Sequence, residues 1–156
     1  MTILRRLREY LDEKKVRYEV SSHREAFTAQ DIAAALHVPG QKLAKVVMIK
    51  SGERFVMAVL PATWKIDMEK MKKVLNSADV RLATENEFKD LFPACDVGAM
   101  PPFGNLYNLD VYVDKSLTED REIVFQAGTH VDTVNMNYQD FVTLVKPVVA
   151  DFGKHI

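Results

Sequence analysis

Ile3, Leu4, Leu7, Tyr10 and Leu11 recur at helical spacing between charged positions, with Thr2 placed as an N-cap. The pattern predicts an opening amphipathic helix whose polar face carries Arg5, Arg6 and Arg8. Residues 16–20 then alternate apolar and polar, as a half-buried strand does, before a polar break at Ser21, Ser22 and His23. Thr28 is placed to cap a second helix over 29–36, which Pro39 and Gly40 stop.

Residues 43–49 are apolar except for Lys45, and 55–60 are apolar again beyond a Ser51-Gly52-Glu53 turn, which predicts a β-hairpin closed by Pro61. Asp67 opens a short helix through Met68, Met71, Val74 and Leu75. A strand follows over 80–83, then a Thr84-to-Glu87 capping box for a turn of helix over 88–92. From 93 to 108 neither period is sustained, and three prolines and two glycines indicate a loop of restricted shape. Strands over 109–113, 122–127 and 131–136 suggest an antiparallel meander, and Asn137 caps a final helix over 138–145 with Pro147 beyond it.

Strands and helices mixed without a strict βαβ rhythm imply an α/β fold of the α+β type: one domain, residues 1–156, with a mixed, largely antiparallel curved sheet and helices packed on it. A length of 156 residues with 47% hydrophobic content supports one continuous core. The formal net charge of −1 argues against a protein that coats duplex DNA, which needs a broad excess of cations, but it permits a local basic patch. Such patches are offered by Arg5, Arg6 and Arg8, by Lys42 and Lys45, and by Lys65, Lys70, Lys72 and Lys73, although a charge run is more often a solvated face. The single Cys95 has no internal disulfide partner, and charges interrupt the N-terminus where a signal peptide would be apolar, so a cytoplasmic setting is expected. No stretch approaches the ~20 apolar residues of a membrane span.

Three features invite chemistry. Lys45 stands alone in an apolar strand, where it either snorkels out at the strand end or points into a polar cavity that holds an anion or carbonyl. Gly98-Ala-Met-Pro-Pro-Phe-Gly104 combines glycines that let backbone approach a ligand with prolines that hold a shape, and such a loop can present amides to an anion, or can simply connect. Gly128-Thr129-His130 brings polar groups to a strand junction, though a lone histidine is more often structural. His130 and Asp132 fall short of the three or four ligands zinc requires, Cys95 alone makes no case for a thiol nucleophile, and no phosphate-binding glycine signature is present, so no metal or cofactor is expected.

In order and spacing these segments resemble the YbaK/EbsC family of aminoacyl-tRNA deacylases, related to the editing domain inserted in bacterial prolyl-tRNA synthetases. The likeness runs through Thr28-Ala-Gln-Asp-Ile-Ala-Ala-Ala-Leu-His-Val38, Leu43-Ala-Lys45-Val-Val, the 98–104 loop, Gly128-Thr-His130 and Met136-Asn-Tyr-Gln-Asp-Phe141. It implies hydrolysis of the ester that joins a wrong amino acid to the 3′ end of a tRNA, after release from the synthetase. It also implies that no side chain acts as nucleophile, that a neighbouring ribose hydroxyl helps handle the water's proton, and that backbone groups stabilise the carbonyl oxygen. By position, Lys45, Gly98 and Gly128 would form the catalytic set, and Thr28, Met100, Pro102, Phe103, Thr129 and His130 would meet the substrate. The implied partners are a mischarged tRNA and a synthetase, with no DNA and no membrane. Alanine on a proline tRNA is the first expectation, with cysteine and serine behind it. A non-catalytic module that binds aminoacyl-tRNA ends is the alternative.

Overall fold

A computed structural model describes residues 5–22, 43–92, 95, 96 and 98–155. The Thr28-capped helix expected over 29–36 lies outside the described residues.

Helix α1 spans Arg5–Glu13 and buries Leu7 and Leu11, one turn apart on its apolar face. Strand β1, Tyr18–Ser22, takes in Ser21 and Ser22, which the sequence reads as a break. Both serines are retained by the neighbouring strand: Ser22 Oγ donates to Asp132 Oδ1 at 2.8 Å, and Ser21 O accepts from Thr133 Oγ1 at 3.4 Å. Strands β2 (Ala44–Ser51) and β3 (Arg54–Pro61) form the expected hairpin in register Lys45↔Leu60 to Ser51↔Arg54, turning through Gly52 at φ +60°.

After β4 (Trp64–Ile66), the Asp67 carboxylate caps α2 (Met68–Leu75) by accepting from the amides of Glu69 and Lys70. Strand β5 is Val80–Leu82. The expected Thr84–Glu87 capping box is present, but it opens helix α3 at once (Glu85–Phe88), and 89–91 tighten into a 3-10 turn. A second 3-10 turn, Gly104–Tyr107, lies inside the segment expected to be irregular. Then come β6 (Asp110–Asp114), β7 (Glu122–Gln126), β8 (Asp132–Asn137), the Asn137-capped α4 (Tyr138–Val145), β9 (Val148–Ala150) and β10 (Gly153–His155).

The strands form a five-stranded sheet ordered β5-β2-β3-β6-β9, a three-stranded sheet β1-β8-β7 and a small β10-β4 pair. The expected meander therefore holds only for β7 and β8. Strand β6 leaves it to lie parallel to β3, with β9 parallel on its far side, while the other ladders between the described strands are antiparallel. The reason lies after β6, where the Asp114 carboxylate accepts from Ser116 N and Oγ through one oxygen and from Phe152 N and Gly153 N through the other. That buried clasp turns the chain out of β6 through a 3-10 turn at 115–119 and pins the C-terminal strand beside it.

The main core fills the space between the two larger sheets and helices α1 and α4, with Met48, Met57, Val59, Val111 and Val113 facing Ile123, Phe125, Val134 and Met136. A second cluster of Ile49, Val56, Ala58, Leu60, Met71 and Phe152 lies on the opposite face of β2 and β3. Gly104 is tightly enclosed: a β-carbon there would lie 2.6 Å from Val111 Cγ2 and 2.9 Å from the Leu109 carbonyl oxygen. Overpacking of this kind costs about 1–3 kcal/mol. Gly104→Ala should lose stability of that order, with a lower urea midpoint at unchanged m-value. A midpoint equal to the parent's would show that the 104–111 corner can open.

Candidate active site

The Gly98 and Gly128 turns meet. Asp96 N donates to Gly128 O at 2.8 Å, and Gly128 N donates to Ala99 O at 2.9 Å, so two backbone hydrogen bonds clip one turn to the other. Both glycines have positive φ, +86° at Gly98 and +97° at Gly128, a region that favours glycine over any residue with a β-carbon. Ala99 N closes the first turn onto Asp96 O at 3.0 Å. With the amides of Ala99 and Gly128 engaged, those of Gly98 and Thr129 make no hydrogen bond among the described residues. Among the described residues the clip thus leaves two donors unengaged where the chain bends.

The rest of the loop is anchored from below. Ala99, Met100, Pro101, Pro102, Phe103 and Gly104 are all buried. The Phe103 ring is fully buried against Tyr10, Phe125 and Phe141, with centroids 6.1, 5.6 and 5.5 Å away. Phe103 and Met100 therefore sit among the main-core side chains beneath the loop.

The Gly128 turn has its own support. Thr129 Oγ1 donates to Asp132 Oδ2 at 2.8 Å and accepts from the amides of Val131 and Asp132. Asp132, only 1% exposed, also accepts from Ser22. The Thr129 hydroxyl is thus spent inside the turn. His130 Nδ1 lies 3.4 Å from Gln126 Nε2, and His130 Cε1 would be 3.8 Å from a β-carbon at Gly98, so the imidazole packs against the other turn.

Lys45 reaches this neighbourhood through the start of β2. Leu43 bridges Val124 in parallel sense, and the two strands run on together toward Lys45 and Gln126. Along β2, Lys45 shares a face with Val47 and Ile49, away from the main core. Along β7, Gln126 lies on the face opposite Phe125 and Ala127, which belong to that core. Lys45, Gln126 and His130 are therefore displayed on the same side. Lys45 is half-buried, its ammonium has no hydrogen bond or ion pair among the described residues, and burial pushes its pKa below the ordinary lysine value. A half-buried ammonium without a carboxylate is suited to an incoming anion.

The fold thus brings together Lys45, Gly98, Gly128 and His130, with Thr129 and Phe103 supporting them. Thr28 lies outside the described residues. The sequence assigns no role to Gln126 or Asp96, and weighs Asp132 only as a metal ligand beside His130. The Thr129-x-x-Asp132 spacing, a hydroxyl answering a carboxylate three residues on, is the signal that marks the turn. No helix among the described residues is long and apolar enough to cross a membrane.

The model of the aminoacyl-tRNA editing domain family matches residues 23–144, more than half of the chain. The proline–tRNA ligase of Thiobacillus denitrificans is 29% identical over 131 residues, covering 79% of this chain and 23% of the ligase. That of Leuconostoc citreum is 27% identical over 128 residues, covering 80% and 22%. The chain therefore spans about a quarter or less of these ligases. A solved hypothetical protein superposes with a TM-score of 0.86 at 21% identity over 96% of this chain and 99% of its own. A candidate trans-editing enzyme for prolyl tRNA synthetase does so with 0.81 at 20% identity, over 96% of each chain. At such identities the likeness is one of fold.

Proposed function

Since the chain belongs to the aminoacyl-tRNA editing domain family, we propose that it is a trans-acting deacylase that hydrolyses the ester between a small, wrongly attached amino acid and the 3′ end of a tRNA. The observation that carries this reading is the clip between the Gly98 and Gly128 turns, against which His130 packs, with Lys45, whose ammonium has no carboxylate among the described residues, on the same face as Gln126. Superposition over almost the full length of a candidate trans-editing enzyme, and the match to part of proline–tRNA ligases, favour proline tRNA as the carrier.

In the reaction, water adds to the ester carbonyl and the ribose oxygen departs with a proton, leaving a free amino acid and an intact terminal diol. The neighbouring ribose hydroxyl passes the proton from water to the leaving oxygen. The Gly98 amide donates to the oxygen that gains negative charge, a preorganised donor of the kind that lowers barriers most. Lys45 holds the terminal nucleotide or aminoacyl group and screens its charge. His130 and the Gly128 turn close the opposite wall. With Met100 and Ala127 turned into the core and Ala99 buried, selection falls to the shape that the two turns leave. One methylene is worth only about 1–3 kcal/mol in such a pocket, whereas a clash excludes a larger residue outright. Alanine is the first choice of substrate, with cysteine and serine behind it.

A panel of proline tRNAs charged with labelled alanine, cysteine, serine and proline tests the reading. Alanine should be released at catalytic enzyme levels and proline retained. A flat panel with retained tRNA binding would assign the domain to recognition alone.

Cys95 has no part in this chemistry. Burial pushes its thiol pKa up, away from the reactive thiolate, and its Sγ lies 3.6 Å from Tyr107 Oη. Cys95→Ser should therefore deacylate alanyl-tRNA at the parent's rate, and an inactive variant would restore the thiol as nucleophile.

A further inference from the structure

Residues 5–17 carry six basic against three acidic side chains, a net of +3 in a chain whose formal net charge is −1. Arg5 is committed to Glu9 at 2.8 Å, and Asp12 accepts from Tyr18 Oη. Arg6 and Lys14 have no carboxylate partner among the described residues and lie over aromatic rings instead. Arg6 Cζ is 4.9 Å from the centroid of Tyr107, and Lys14 Nζ is 5.7 Å from that of Tyr10. Residues 6, 10 and 14 recur every four positions along α1 and its last turn, so cation, ring and cation follow one another along one side of the helix. Asn105 Nδ2 adds a polar group by donating to Tyr10 Oη at 3.1 Å. The stripe also adjoins the clip: Tyr107 Oη meets Cys95 Sγ, and the next residue, Asp96, donates to Gly128 O.

We propose that Arg6, Tyr10, Lys14, Asn105 and Tyr107 form a docking stripe for the unpaired 3′-terminal nucleotides of the tRNA, leading them to the clip. This rests on the deacylase reading. Single-stranded nucleic acid is held by cations that meet phosphates and by rings on which bases stack, and here both kinds of group alternate beside the site. The local positive charge in a slightly acidic protein complements a polyanion, and the two cations of the stripe match successive phosphates of a short strand. Arg6 and Lys14 leave their rings for phosphates, and Tyr10 and Tyr107 then face the bases.

The test is the Arg6→Gln/Lys14→Gln variant of the full chain, with Tm measured alongside. Anisotropy of labelled, uncharged proline tRNA across a potassium chloride series reads binding. Release of alanine from alanylated proline tRNA and from 3′-O-alanyl-adenosine separates contacts along the strand from contacts at the terminal nucleoside. Losing two phosphate contacts should raise Kd and KM for tRNA about tenfold and shrink the log–log salt slope by about 1.4, while alanyl-adenosine turnover and Tm stay at parental values. Unchanged tRNA affinity and slope would overturn the stripe, as would an equal loss on both substrates. If the parent hydrolyses neither substrate, the deacylase reading fails by itself, and the anisotropy series still decides the stripe.

Discussion

Lys45→Ala should lower kcat/KM for alanyl-tRNA roughly 10- to 100-fold while leaving the protein at least as stable as its parent. The activity loss follows from removing a charged hydrogen bond worth about 1.5–3 kcal/mol, where each 1.4 kcal/mol is a factor of ten. The stability result follows from the environment. Lys45 is half-buried with no carboxylate among the described residues, so the folded state holds its proton less tightly than the unfolded chain does. Below the lowered folded value the full desolvation cost is present. It fades as pH rises toward the ordinary lysine value of the unfolded chain, because in that window the unfolded state binds more protons. Removing the ammonium at neutral pH therefore relieves the fold. Activity runs the other way: as pH climbs through the lowered pKa the charge is lost, so the parent's rate advantage over Lys45→Ala should shrink at pH values where ordinary lysines remain charged. A parallel pair of pH profiles, or unchanged activity in Lys45→Ala, would remove Lys45 from the site.

What the sequence discloses and what it hides divide along the range of the interactions concerned. Asp67, Thr84 and Asn137 act within three residues of themselves, and all three open helices, Asp67 and Asn137 where the pattern predicts and Thr84 three residues earlier, at Glu85. The β2–β3 hairpin is equally local, set by two apolar runs and a positive-φ glycine. Strands β4, β9 and β10 carry no pattern of their own that the sequence discloses, and the start of β10 is fixed by a distant group, the Asp114 carboxylate at the end of β6, which accepts from the amides of residues 152 and 153. The same clasp diverts β6 from its expected hairpin into a parallel pairing. Parallel partners such as Val56↔Asp110 lie far apart in the chain, and no local period announces them.

The candidate site follows the same rule. Lys45 in its apolar run, and the glycines at 98 and 128, are conspicuous because each departs from its surroundings. Their meeting is not legible, since it depends on the Leu43–Val124 bridge and on amide-to-carbonyl bonds that any side chains could accompany. Phe103 shows the converse hazard. An aromatic beside a glycine suggests a ligand, yet the ring fills the core, and its contribution to the loop is to hold it down. Asp132 is the more telling case: weighed in the sequence only as a metal ligand, it is a carboxylate 1% exposed and engaged by the hydroxyls that shape the Gly128 turn.

Gly98→Ala isolates what the loop's conformation contributes. Space is not the obstacle, since the new β-carbon would meet nothing closer than His130 Cε1 at 3.8 Å, an ordinary contact. The obstacle is φ of +86°, where a residue with L configuration is strained by about 1–3 kcal/mol. An exposed turn relieves such strain by moving, so the amide at 98 leaves its aim while the buried 99–104 segment beneath it stays packed. The expected result is a fall in kcat of roughly 10²-fold, the scale of losing one oxyanion donor, with a small change in stability. Chirality supplies the control. D-Alanine favours the same positive φ at the same added volume, and Cys95, three residues upstream, provides a ligation junction for joining a synthetic 95–156 segment to the expressed remainder. Rescue by D-alanine but not L-alanine would assign the loss to backbone direction. Equal inactivity of both would point instead to the added carbon, and with it to His130, whose ring is the first atom group that carbon meets.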